Sequence, residues 1–127
     1  MAIPSGSGTE VLKRTTIHAL TTNETAFRWD GTMATTGTAT YTVTANHIIT
    51  VLNIIVAETQ SSAENFNIYM HDGSNSIHLL RNQPLSFKET FVWNDRLVLT
   101  GGDKLVLYAE ASANIDVVCN YIDQDWS

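Results

Sequence analysis

Of the side chains able to do chemistry, the histidines come first. The chain has four, His18, His47, His71 and His78. None stands in an HxH or HExxH spacing, so the metal enzymes of cupin type, which share a jelly-roll fold, find no ligand set here. His71 and His78 bracket Asp72-Gly73 and share the parity opposite Ile68 and Ile77, so a hairpin there sets two imidazoles on one solvent-facing side. Cys119 is the single cysteine. It excludes an intrachain disulfide and, inside the apolar run 115–121, reads as a small buried side chain. The serines lie in turns, without a Gly-x-Ser-x-Gly elbow. Gly101-Gly102 lacks the Lys-Ser/Thr of a phosphate loop and precedes a strand pattern, so it reads as a turn. Asp123 and Asp125 are two carboxylates where a calcium site wants about six oxygens, and they read as a solvated acidic tail. No nucleophile–base pair and no cofactor site can be assembled. The chain is expected not to be an enzyme.

Charge narrows the partners. Thirteen acidic residues against seven basic ones give a net charge of −6 over 127 residues, which disfavours a nucleic-acid partner. Of the bases only Lys13 and Arg14 adjoin, and such a pair usually marks a solvated strand end. No run approaches the ~20 apolar residues that a membrane helix needs. The first residues, Met1-Ala2-Ile3-Pro4-Ser5-Gly6-Ser7-Gly8, have neither the basic nor the apolar region of a secretory signal, so synthesis in a cytoplasm is expected. Trp29, Trp93 and Trp126 are the large aromatics with sugar-stacking capacity. Trp126 reads better as packed against its own domain or a partner subunit.

The elements that must hold these residues are strands. Residues 1–10 are small and polar and form an extended arm; residues 11–127 form one domain. Runs 11–20 and 25–30 are β-branched or aromatic, with a turn between them, and 31–37 reads as a loop. Residues 38–44 carry Thr at alternate positions, the pattern of a strand with one wet face. Run 47–58 is apolar on both parities. Ile48, Thr50, Leu52, Ile54 and Val56 lie on one side; Ile49, Val51, Asn53, Ile55 and Ala57 lie on the other. Such a strand is expected to have both faces covered, in part by another subunit. Runs 66–71 and 77–81 flank a hairpin turn at Asp72-Gly73-Ser74-Asn75. Runs 89–93, 96–99, 104–110 and 115–122 complete nine or ten strands, with no amphipathic helix. The fold class is all-β: an antiparallel β-sandwich, jelly-roll-like, with an extended N-terminal arm.

From Tyr41 onward the chain resembles a group of small tailed-phage virion proteins of marine and cyanobacterial phages. The residues that carry the likeness are the run Tyr41-Thr42-Val43-Thr44-Ala45-Asn46-His47-Ile48-Ile49, the hairpin Asn67-Ile68-Tyr69-Met70-His71-Asp72-Gly73, Glu89-Thr90-Phe91, Leu99-Thr100-Gly101-Gly102-Asp103-Lys104-Leu105 and Ile115-Asp116-Val117. The resemblance implies a sandwich that oligomerises on the virion surface as a capsid decoration, or cement, protein. The partners expected are the major capsid protein and further copies of this chain, as a homotrimer. Lys13, Arg14, Ile49, Val51, Ile55 and Trp126 are the candidates for that oligomer or capsid interface. The alternative is a receptor- or carbohydrate-binding module of a phage tail or fibre, with a tryptophan as the stacking platform.

Overall fold

A computed structural model describes residues 9–59, 63–111 and 115–126. Every helix or strand among them is a strand, and there are nine: β1 (Thr9–Leu20), β2 (Thr25–Ala26), β3 (His47–Glu58), β4 (Glu64–His71), β5 (Ser76–Leu85), β6 (Thr90–Trp93), β7 (Leu97–Thr100), β8 (Lys104–Ala109) and β9 (Ile115–Asp125). They form two antiparallel sheets. The five-stranded sheet runs β1-β9-β3, with β6 and β7 both on the far edge of β3; the four-stranded sheet runs β2-β8-β4-β5. The all-β sandwich read from the sequence is the observed class. Thr9 and Glu10, assigned to the arm, already pair with Asp125 and Gln124 in β1. The rest of the arm lies outside the described residues.

The two sheets bury one core between them. Phe27, Leu20, Ile49, Val51, Ile54, Phe66, Ile68, Leu105, Leu107 and Tyr121 are all fully enclosed there. Trp29 meets Tyr121 edge-on, with ring centroids 4.9 Å apart, and the Tyr121 hydroxyl accepts the Gly31 N–H at 3.0 Å. An edge-to-face pair of this kind adds to what area burial alone supplies.

A single extra residue sets the faces of β3. Between Val51 and Asn53 its register against β9 shifts, leaving Leu52 as a bulge. The parity of the strand therefore reverses half-way. Ile49 and Val51 before the bulge, and Ile54 and Val56 after it, all enter the core. Thr50, Asn53, Ile55 and Ala57 face outward and are partly exposed. Strict alternation had put Ile55 beside Ile49 and Val51. The bulge separates them. The strand paired to the same edge is broken at the same level: β6 pairs with residues 54–57, β7 with residues 48–51, and Arg96 Nη1 donates to the Leu52 carbonyl at 3.3 Å.

Residues 38–44 are not a strand, despite their alternating threonines. They cross the end of the four-stranded sheet as a loop held by scattered backbone bonds. Ala26 N–H donates to Thr38 O at 2.9 Å, and Val43 exchanges bonds with Asp103 and Gly102 at 2.8 and 2.9 Å. Run 25–30 likewise yields only the two residues of β2 before leaving the sheet. The hairpin over Asp72-Gly73 is present, with Gly73 at φ 96°, the left-handed region its missing Cβ allows.

Candidate functional site

The surface with the least explained composition is the outer face of the five-stranded sheet. The ladders fix its rows. One row runs Leu12, Ile122, Thr50, Val98; another runs Thr16, Val118, Ile55, Val92. Between them lies Arg14, Asn120, Asn53, where Asn120 Nδ2 donates to Asn53 Oδ1 at 2.8 Å. Leu12 is 71% exposed, Val98 53% and Val92 46%. Ile55, Val118 and Ile122 are half-buried by their neighbours in the sheet. No second layer covers these rows among the described residues. Apolar side chains aligned across four strands on an open face differ from the singly scattered apolar residues of any surface.

The six interface candidates fall in different places. Ile55 and Arg14 belong to this outer face. Ile49 and Val51 do not: both are wholly enclosed between the sheets. Lys13 takes the inward parity, and its Nζ lies 3.0 Å from Asp123 Oδ2. The adjacent bases Lys13 and Arg14 thus point to opposite sides of one strand. Trp126 is half-buried just beyond β9, its backbone N–H donating to Asn46 O at 2.9 Å. Leu12, Val92, Val98 and Ile122 are the members that sequence reasoning missed. Their signal was present only as outward parity on strands whose register the sequence does not state.

Asp123 corrects another expectation. It is not part of a solvated tail but lies in β9 at 3% exposure. Lys13 approaches one carboxylate oxygen and His47 Nδ1 the other, at 2.8 Å, while His47 Nε2 lies 3.4 Å from Asp125 Oδ1. A carboxylate so enclosed is tolerable only with such partners. His18 pairs instead with Asp116 at 3.0 Å, His71 accepts the Gly73 N–H, and His78 packs beside the Tyr69 ring. Among the described residues no three His, Cys, Asp or Glu side chains come together as a metal site.

A smaller recess, of about 270 Å³, is lined by Arg28, Trp29, Asp30, Tyr41 and three threonines. Arg28 lies over the Tyr41 ring at 4.6 Å and donates to Asp30 at 2.8 Å. Hydrogen bonds from Thr32 hold the Asp30 carboxyl below its ordinary range, with Arg28 adding to the effect. Trp29 is 8% exposed, and its ring packs on Phe27 and Tyr121, so it offers no open face for a sugar to stack on. Burial pushes the Cys119 thiol well above its ordinary range, which makes it a poor nucleophile.

No protein-family model and no curated protein matches the sequence. Among solved structures, a chain described under "Crystal structure of the T13 IBDV viral particle reveals a missing link in icosahedral viruses evolution" is similar, with a TM-score of 0.45 and 12% identity over 90% of this chain. This chain spans 31% of the length of that one. A likeness at that level has no bearing on function.

Proposed function

We propose that the chain is a non-enzymatic virion structural protein, a capsid decoration protein that binds the shell of major capsid protein and associates with its own copies. The observation that carries this reading is the outer face of the five-stranded sheet. Four strands at about 4.8 Å spacing and about ten residues at 3.3 Å rise span roughly 19 by 33 Å, approaching the roughly 800 Å² per partner of a standard interface. Two largely apolar rows flank a central Asn120–Asn53 pair whose side chains bond each other, with Arg14 at one margin and Glu10 and Asp116 at others. The sequence resemblance to small tailed-phage virion proteins supports a capsid shell as the partner.

The strand order supports the same reading. With β6 and β7 taken as one broken strand, the order is β1-β9-β3-β6/β7 over β2-β8-β4-β5. We read this as a jelly roll of two sheets, in which most connections cross from one sheet to the other. Capsid and lectin domains share that architecture, so the choice between them rests on the face and not on the fold.

The test is co-sedimentation with expanded phage heads. Wild-type protein is expected to pellet with the heads at a saturable ratio of hundreds of copies each. Val98→Lys and Val92→Lys are expected to weaken that binding about tenfold or more while leaving the melting temperature unchanged. Heads that stay bare at saturating wild-type protein overturn the proposal. So do lysine variants that bind as well as the wild type.

A further inference from the structure

We propose that the free edge of β1 over residues 10–14 pairs with the same edge of a second copy, antiparallel, about a two-fold axis at Leu12. β1 is the outermost strand of its sheet. The Thr16 carbonyl accepts the Ala34 N–H at 2.8 Å from the side away from β9, which shows which way the even-numbered backbone groups point. By the alternation of an antiparallel ladder, the N–H and C=O of Glu10, Leu12 and Arg14 point the same way. No described residue bonds them. An unpaired edge of this length is a template for another strand, and proteins ordinarily blunt it. The outer strand of the other sheet is blunted: β5 carries Pro84, a left-handed Asn82 at φ 52° and two register irregularities against β4. Within β1 the pairing irregularity falls between Ile17 and Leu20, beyond the stretch in question.

The sequence of that stretch identifies the occupant. Parity admits only registers that set even-numbered residues opposite even-numbered ones, and the loop bonded to Thr16 stops a strand from sliding further. With Leu12 on the axis, Glu10 of each copy faces Arg14 of the other, and the Leu12 side chains meet between the two ion pairs. Both charges and both leucines lie on the outer side of the sheet, in line with Gln124, Ile122 and Asn120. The arrangement forms about six backbone hydrogen bonds and covers the most exposed large apolar side chain of the sheet. Beside the edge lies a recess of about 430 Å³ lined by Leu12, Lys13, Arg14, Gly31 and Asn120. An edge that pairs with itself gives two-fold symmetry, in place of the threefold assembly expected from the sequence.

Sedimentation velocity across low-micromolar to submillimolar protein tests this, with circular dichroism melts as the check on folding. Wild type is expected to dimerise. Leu12→Pro removes an N–H that points away from β9 and is expected to leave a folded monomer; Leu12→Lys is the second variant should proline unfold the chain. Glu10→Arg and Arg14→Glu are each expected to weaken the dimer about tenfold, and the double reversal to restore it. A wild-type monomer at submillimolar concentration overturns the proposal. A threefold assembly, a dimer indifferent to both Leu12 variants, or a double reversal that rescues nothing also overturns it. Shell binding is read separately: Val98→Lys is expected to lose the heads and keep the dimer, so either reading can fail without the other.

Discussion

At the scale of single residues, two groups that the sequence offers for chemistry, Asp123 and Cys119, are enclosed in the fold. Asp123 is enclosed, and its charge is matched by Lys13 from β1 and His47 from β3. Removing the carboxylate leaves both partners facing an emptied site. Asp123→Ala is therefore expected to cost about 3 kcal/mol in urea unfolding, near the lower end for a buried pair because Lys13 keeps some contact with water. The tyrosines titrate late for a related reason. Burial, with the neighbouring Glu24 carboxylate for Tyr69, raises Tyr69 and Tyr121 to about 12 from an ordinary 10.0. A group whose folded pKa is raised lends its full stability below its unfolded value and loses it as the pH climbs toward the folded one. Stability should accordingly hold up to about pH 10 and fall between there and about pH 12. An absorbance titration of phenolate is expected to show two of the four tyrosines ionising late. Ionisation of all four together near pH 10 contradicts this.

At the scale of elements, β3 shows how far periodicity carries and where it stops. Its apolar run was correctly a strand, and its density of β-branched residues is the reason. Which residues shared a face was misread, because one inserted residue reverses the parity. Deleting Leu52 removes the bulge and joins Val51 to Asn53, so that Ile49, Val51, Ile54 and Val56 keep the core face in one unbroken alternation. The deletion is expected to fold, judged by retained chemical-shift dispersion, as is Leu52→Ala; loss of dispersion on deletion contradicts this account of the bulge. The loop over 38–44 is the opposite case. Alternating threonines meet the local criterion for a strand, yet the edge they adjoin is β2, which is only two residues long and bonds the segment at Thr38. A strand needs a partner as well as a pattern.

At the scale of the molecule, β9 is the strand on which the larger sheet turns. It separates β1 from β3 and pairs with both along nearly its whole length. Ending the chain at residue 114 leaves β1 without a neighbour in its sheet and opens the core at Val117, Cys119 and Tyr121. That truncation is expected to be unfolded by circular dichroism. Pairings of this kind join residues far apart in sequence, so refolding of the intact chain is expected in the millisecond-to-second range and not faster. Among the described residues the same layout leaves two features uncovered in a single copy. They are the apolar outer rows of the larger sheet and the backbone edge of residues 10–14.

The strand content, the hairpin at Asp72-Gly73 and the buried character of Cys119 follow from the amino-acid order alone, because they depend on neighbours within a few positions: β-branching, turn chemistry and local polarity. So does the poverty of catalytic spacing among the histidines and serines. The outer face of Leu12, Ile122, Val98 and Val92, the enclosure of Asp123 and the inward turn of Ile49 and Val51 were settled only in three dimensions. Each depends on which strand lies beside which, and on a one-residue bulge. Sheet register is a long-range property, and a shift of one residue exchanges the two faces.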